Sequence, residues 1–193
     1  MPIDRIQAPW EVMVVDDDEA IRELIVSYFN GLGMLVTGAK DGRAAIAALQ
    51  RSEGRFGLVV TDLNLPGADG FAVLQTARQA NSNCYVVIVT GYASLDSAIH
   101  AVRVGAYDYL TKPFSMGQLD VVLRRITDRA SLERQNRDLV RMPVTSPAVS
   151  EDRAAAAGAS LTSLEHGMAR MEAAIARIEA RLAASVGSPF ARL

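Results

Sequence analysis

The sequence predicts an α/β fold in which helices cover a parallel sheet. Between residues 11 and 128, short apolar runs rich in β-branched residues alternate with longer amphipathic stretches. That alternation is typical of βα units, whose crossover helices join parallel strands. Five such units use about 120 residues, which is the size of one compact domain.

The predicted elements follow the chain in regular alternation. The strands are predicted at residues 12–15, 34–37, 58–61, 85–89 and 107–110. The helices are predicted at residues 19–30, 42–51, 70–79, 94–104 and 115–129. Gly31, Gly54 and Gly105 follow three of these helices, where glycine supplies the left-handed residue of a C-cap.

The C-terminal third has a different pattern. The fifth helix is predicted to continue as a helical extension over residues 129–142, and Pro143 then ends it. Residues 143–160 contain proline, serine and an alanine run, which predicts a flexible linker. From residue 161, apolar residues recur at alternating steps of three and four, which predicts an amphipathic helix or short coiled coil at 161–185. The stripe consists of Leu161, Leu164, Met168, Met171, Ile175, Ile178 and Leu182.

Three roles are open for this stripe: a homodimer, docking on the first domain, or binding of a separate partner. Glu165, Glu172 and Glu179 occupy the e positions, so an antiparallel homodimer would place like charges opposite each other. A parallel pair would tolerate them. A partner with basic residues would fit better still.

Composition excludes several classes of protein. The net charge of −2 gives no overall positive field for binding nucleic acid or acidic lipid. The single cysteine, Cys84, excludes an internal disulfide framework and a zinc site built from several thiolates. No apolar run reaches the roughly 18 to 20 residues that span a bilayer, and residues 1–10 do not resemble a signal peptide. We therefore expect a cytoplasmic protein.

Polar residues that could bind a ligand or take part in a reaction follow four of the predicted strands. Asp16 and Asp17 follow the first strand, Asp62 the third, Thr90 the fourth and Lys112 the fifth. The carboxyl ends of parallel strands line the crevice in which ligands bind to open α/β sheets. We therefore expect these five residues to share one pocket.

Three clustered carboxylates repel one another unless a cation neutralises them. Mg²⁺ prefers oxygen ligands and commonly joins one or two carboxylates to a phosphoryl oxygen. Lys112 adds a positive charge, and the hydroxyl of Thr90 can bond a phosphoryl oxygen. The set favours Mg²⁺-dependent transfer of a phosphoryl group to a carboxylate.

These motifs resemble the receiver domains of two-component response regulators. The matching stretches are Val-Val-Asp-Asp at 14–17, Thr-Asp-Leu-Asn-Leu-Pro-Gly at 61–67, Val-Thr-Gly-Tyr at 89–92 and Tyr-Leu-Thr-Lys-Pro-Phe at 109–114. The resemblance covers residues 10–128. It implies a flavodoxin-like (βα)5 fold, a doubly wound parallel sheet with strand order 2-1-3-4-5. It also implies a histidine kinase as partner.

The resemblance implies a role for individual residues. Asp62 resembles the phosphorylated aspartate, and Asn64 would offer its backbone carbonyl to Mg²⁺ beside the acidic pair Asp16 and Asp17. Thr90 and Tyr109 resemble the switch pair, in which the hydroxyl moves toward the phosphate and the ring turns inward. Lys112 would contact the phosphoryl group, and its bond to Pro113 would be cis. Such a protein is not an enzyme beyond catalysing its own phosphorylation and dephosphorylation.

The stretch at 91–114 is most similar to receivers of the nitrogen-regulation class, which continue into an ATPase and a DNA-binding domain. No Walker-type glycine-rich loop follows in this sequence. We therefore expect output through protein contacts, made by the face of helix 4, strand 5 and helix 5 or by the C-terminal helix. The alternative is a truncated or atypical transcriptional regulator with DNA-binding output. A metal-dependent phosphatase-like enzyme would need a general acid and a substrate pocket.

Each site residue also has an ordinary structural interpretation. Asp16 and Asp17 could begin a helix, as we expect for Asp18, where a carboxylate favours the positive helix end. Thr90 could end a strand, Tyr109 could be a half-buried aromatic residue, and Lys112 could be a surface charge. The functional interpretation rests on the joint occurrence of all of them.

Overall fold

The computed structural model describes residues 11–141, in which five strands alternate with five helices. The strands are β1 (Glu11–Val15), β2 (Leu35–Ala39), β3 (Phe56–Thr61), β4 (Tyr85–Thr90) and β5 (Asp108–Thr111). The helices are α1 (Glu19–Gly31), α2 (Gly42–Arg51), α3 (Gly70–Ala80), α4 (Leu95–Val104) and α5 (Met116–Arg141). These residues fall into two compact units: 11–114 contains the sheet and α1 to α4, and 115–141 contains α5.

The strands form one parallel sheet in the order β2-β1-β3-β4-β5. This confirms the predicted α/β fold and its strand order. The central strands carry nearly continuous apolar runs, because helices cover both faces of such a sheet. All six residues of β4 are buried. β2 lies at an edge, where Leu35 is 63% exposed.

The main hydrophobic core lies between one face of the sheet and α2, α3 and α4. Met13, Val59 and Ile88 contribute from the strands, and Leu49 and Leu74 contribute from the helices. Each of these side chains is at most 1% exposed. Burial of one such side chain contributes about 1.5 to 3 kcal/mol, so this layer fixes the positions of the strand ends.

Side-chain caps fix the start of each helix in the first unit. Asp18, Asp41, Asp69 and Ser94 precede α1 to α4, and each accepts a hydrogen bond from a backbone N–H of the first turn. Such a cap satisfies a donor that the helix itself cannot bond. The interpretation of Asp18 as a helix entry is confirmed. These caps set where each loop at the carboxyl edge of the sheet ends.

Two of the three predicted glycine caps were misplaced. Gly105 caps α4 with a left-handed φ of 102°, as predicted. Gly31, however, is the last residue of α1, and Leu32 is the cap. α2 ends at the cap Ser52, two residues before Gly54. In both cases a glycine with a φ of 78°, Gly33 or Gly54, lies one or two residues beyond the cap.

The predicted linker at 143–160 and the predicted amphipathic helix at 161–185 lie outside the described residues. α5 extends to Arg141 as one helix of 26 residues. Within residues 11–141, none of the helices combines the length and the apolar character that crossing a bilayer requires.

The burial of Cys84 gives a test of this fold. The side chain is 2% exposed, and burial raises the pKa of its thiol to about 12, although the charge of Arg78 opposes this. Because the thiolate is the reactive form, iodoacetamide at pH 8 should react only when the protein opens. We expect native alkylation at least about a hundredfold slower than in urea, which corresponds to an opening cost near 3 kcal/mol. Equal rates would contradict the buried position.

Candidate functional site

The predicted site residues meet at the carboxyl edge of the sheet. Backbone hydrogen bonds continue the parallel ladder beyond the strand ends. Asp16 N donates to Ala39 O at 3.1 Å, and Asp62 N donates to the last carbonyl of β1 at 2.9 Å. Lys112 N donates to Thr90 O at 2.8 Å. The backbone of these residues therefore has the rigidity of the sheet rather than that of a loop.

The ammonium group of Lys112 joins two carboxylates. Its Nζ donates to Asp16 Oδ2 and to Asp62 Oδ2, both at 2.7 Å. All three side chains are largely removed from water, with exposures of 15% for Lys112, 2% for Asp16 and 9% for Asp62. At this distance and burial, the attraction is charge-assisted and only weakly screened by salt.

The other oxygens of the two carboxylates also have donors. Asp18 N donates to Asp16 Oδ1 at 3.0 Å. Asn64 N donates to Asp62 Oδ1 at 3.1 Å. Both contacts span two residues, so each carboxylate is held by its own following turn. The orientation of Asp62 therefore depends on the backbone of the β3–α3 loop, which comprises residues 62–69.

Asp17 completes an acidic cluster. One carboxylate oxygen from each of Asp16, Asp17 and Asp62 lies within 4.8 Å of the others, and Asp17 is exposed. Hard oxygen donors of which one is exposed to solvent suit a cation that keeps several water ligands, as Mg²⁺ does. The residues present therefore fit a magnesium ion. Coordination by the Asn64 carbonyl stays a prediction.

The pKa values of Asp16 and Lys112 are both raised, but for different reasons. Burial raises the pKa of Asp16, while the hydrogen bond and charge of Lys112 and the bond from the Asp18 amide oppose it. Burial lowers the pKa of Lys112, but its hydrogen bonds to Asp16 and Asp62 and their charges outweigh this, so the pKa is raised. Lys112 therefore remains charged because the two carboxylates are beside it.

Thr90 and Tyr109, the predicted switch pair, are both buried. Thr90 is the last residue of β4, is 0% exposed, and its Oγ1 accepts a hydrogen bond from Tyr92 N at 3.3 Å. Tyr109 is 1% exposed, and its hydroxyl lies 2.9 Å from Ser97 Oγ. The ring therefore already points inward. Lys112-Pro113 is a cis peptide bond, as expected from the resemblance.

Comparisons with known proteins identify the family of this chain. The family model described as "Response regulator receiver domain" matches residues 12–124. The chain belongs to the response regulator receiver family.

Relatives of this receiver include much longer proteins. A response regulator described as NtrX-like from Rickettsia conorii is 30% identical over 180 residues, which are 92% of this chain and 36% of the relative. The "DNA-binding transcriptional regulator NtrC" of Salmonella typhimurium is 33% identical over 128 residues, 66% of this chain and 27% of the relative. The chain thus spans about a third or less of these two relatives.

Solved receiver structures have the same fold. The signal receiver domain of a Luxo repressor protein from Vibrio parahaemolyticus superposes with a TM-score of 0.60 and 30% sequence identity. That match covers 69% of this chain and 98% of the other.

Two contacts of this receiver were not predicted from the sequence. Arg22 of α1 donates from Nη1 to the backbone carbonyl oxygen of Asp16 at 2.8 Å. Ser97 belongs to the capping box of α4 and also contacts the Tyr109 hydroxyl. Its spacing from Ser94 indicates a cap, but no sequence signal links it to a tyrosine twelve residues away. Ser97 therefore connects Tyr109 to the start of α4.

Replacement of Lys112 by methionine tests the ion bridge. The change leaves buried carboxylates without the ammonium, which should lower the free energy of unfolding in EDTA by about 3 kcal/mol at pH 7. Without the ammonium, ionised Asp16 opposes folding because its charge is buried. The loss of unfolding free energy should therefore become smaller as the pH falls and Asp16 takes up a proton. Urea titrations across pH measure both effects. Lys40→Met, at an exposed lysine, is the control and should change little; an equal loss in both variants would contradict the argument.

A double-mutant cycle tests the contact between Ser97 and Tyr109. Ser97→Ala and Tyr109→Phe each remove one hydroxyl, while the Ser94 side chain still caps α4 through the backbone N–H of residue 97. We expect a coupling energy of about 1 kcal/mol from urea unfolding of the two single variants and the double variant. Strictly additive losses would mean that the hydroxyls do not stabilise each other.

Proposed function

We propose that this receiver accepts a phosphoryl group on Asp62 from the phosphohistidine of a histidine kinase, in a Mg²⁺-dependent reaction. The observation that carries the proposal is the paired contact of Lys112 with Asp16 and Asp62 at 2.7 Å in a cluster of three carboxylates. Structural ion pairs do not need an additional exposed carboxylate such as Asp17 beside them. A site that receives a phosphoryl group does, because a metal ion needs ligands on the side open to the donor.

Residues of the site have a role in each step of the proposed transfer. A carboxylate oxygen of Asp62 attacks the phosphorus, the phosphorus–nitrogen bond breaks, and the imidazole of the kinase leaves with the bonding electrons. Lys112 would turn from the Asp62 oxygen to the phosphoryl oxygens, where negative charge accumulates. The Thr90 hydroxyl would donate a hydrogen bond to the same group. Asn64 N and its hydrogen bond hold the acceptor in orientation.

Asp16, Asp17 and Asp62 would hold Mg²⁺ through their carboxylates, and Asn64 would hold it through its backbone carbonyl. The ion, when bound, neutralises charge on the phosphoryl oxygens. The protein's own part is to arrange the oxygen ligands before binding. Asp16 and Asp62 are fixed by hydrogen bonds, whereas exposed Asp17 is available from solvent.

The proposed output is a protein contact controlled by Thr90 and Tyr109. Phosphorylation would draw the Thr90 hydroxyl toward Asp62 and bias two arrangements of β5 and α4. The contact between Tyr109 and Ser97 supports this, because it connects the ring to the capping box of α4. The exposed Tyr92 and Leu95, next to that box, give a downstream protein an apolar surface.

The proposed boundaries are a receiver at 10–128, a helical extension at 129–142, a linker at 143–160 and an amphipathic helix at 161–185. The heptad stripe predicted for that helix would give a second surface for a homodimer, for docking on the receiver, or for a separate partner. We propose no turnover of a separate substrate, because the chemistry argued for the site ends on its own aspartate.

Transcriptional output is the second candidate function. It is favoured by the similarity to a relative named as a DNA-binding transcriptional regulator. This chain spans 27% of that relative. Selection of bound sequences from a random DNA pool separates the candidates, since recovery of one sequence by the phosphorylated chain would favour the second.

Replacement of Asp62 by asparagine tests the acceptor. Asparagine keeps the shape but removes the attacking carboxylate, so labelling by a phosphorylated kinase or by acetyl phosphate should be lost. Labelling is measured as a base-labile mass increase of one phosphoryl group. Asp18→Asn is the matched control, because asparagine caps a helix as well as aspartate does. It should label like the unchanged protein, and undiminished labelling of Asp62→Asn would place the acceptor elsewhere.

A further inference from the structure

The β3–α3 loop, which carries Asp62 and Asn64, is confined between two helix starts. The first residue of α2 is Gly42, and the first residue of α3 is Gly70. Both glycines are buried. The loop runs from the proposed acceptor to the cap Asp69, so any displacement at its ends moves the acceptor turn.

Gly70 has no room for a side chain. A Cβ placed on it would lie 2.0 Å from the carbonyl oxygen of Asp62, 2.9 Å from the Asp62 carbonyl carbon and 2.9 Å from Leu63 Cα. All three are backbone atoms, so no side-chain rotation can relieve the overlap. Cβ atoms essentially never come closer than 3.0 Å to such neighbours, and the loop would therefore have to retreat by about 1 Å.

Gly42 makes the same kind of contact at the far end of the loop. A Cβ there would lie 1.9 Å from the carbonyl oxygen of Ala68. Hydrogen bonds fix the loop in this position: Gly42 N donates to Pro66 O at 3.2 Å, and Gly70 N donates to Leu63 O at 2.9 Å. The close approach therefore comes with specific bonds that hold the loop between the two helices.

We infer that Gly42 and Gly70 are positioning residues for the phosphoacceptor. Because these residues lack side chains, the starts of α2 and α3 can pack directly against the loop backbone. This packing fixes the position of the Asp62 carboxylate beside Lys112. Gly70 acts directly, because it abuts the carbonyl of Asp62 itself. Gly42 acts indirectly, because it abuts Ala68, which lies six residues after Asp62 in the chain. This inference rests on the proposed function of Asp62 as acceptor.

The experiment measures phosphorylation by acetyl phosphate in Gly70→Ala, Gly42→Ala and the control Gly31→Ala, all as full-length chains. Gly31 is also helical, but nothing lies within 4 Å of a Cβ there. The rate constant and the final amplitude are recorded separately. A purely structural role lowers the observed rate constant or the amplitude only in proportion to the folded fraction, which circular dichroism measures. Misplacement of the acceptor lowers the rate constant of the folded molecules.

We expect Gly70→Ala to label at least about tenfold more slowly, since misplacing a reacting group by about 1 Å can cost up to a hundredfold. Gly42→Ala should be slowed less, and Gly31→Ala should match the unchanged protein. If Gly70→Ala does not fold, slower labelling by Gly42→Ala supports the inference.

Two outcomes would overturn this inference but leave the proposed function of Asp62 intact. In the first, the folded variants label at the unchanged rate constant. In the second, neither Gly70→Ala nor Gly42→Ala folds, which makes both glycines structural residues. A chain that acetyl phosphate does not label at all would overturn the proposed function, and the inference with it.

Discussion

The hydrogen-bonded pair of contacts from Lys112 to Asp16 and Asp62 is the interaction on which the site depends. It joins the ends of β1, β3 and β5, and one of the contacts spans 96 residues of sequence. Two buried carboxylates at neighbouring strand ends would repel each other strongly in a medium of low polarity. The ammonium replaces that repulsion with attraction. The carboxyl edge of the sheet can therefore concentrate acidic groups without losing the packing beneath them.

The fold could be predicted because local and global signals agree. Continuous apolar runs mark strands that are buried on both faces, and Gly105 marks the end of α4, where the structure has a left-handed cap. The pocket followed from the same argument, because Asp16 and Asp62 directly succeed such runs. The strand order did not follow from periodicity, which is the same for any arrangement of five parallel strands. It came from the resemblance to receivers.

The contacts that escaped prediction depend on distances in three dimensions. Ser97 reads as a helix cap from its neighbours, and its second contact with Tyr109 exists only because α4 begins beside β5. Gly70 is predicted only as the first residue of a helix, whereas the structure shows that a Cβ there would meet the Asp62 carbonyl. Local sequence states what a residue can do for its own helix or turn. It does not state which backbone will approach it from elsewhere.

The hydrogen bonds of the two buried carboxylates also limit how the site can work. Both oxygens of Asp62 accept a bond, one from Lys112 and the other from Asn64 N. In the proposed reaction, the bond to Lys112 is the one that can exchange, because the lysine side chain is long and the Asn64 amide belongs to the backbone. The exchange moves a positive charge from the acceptor to the incoming phosphoryl oxygens and frees an oxygen to attack. The ion bridge therefore stabilises the resting site with the same group that the transfer needs next.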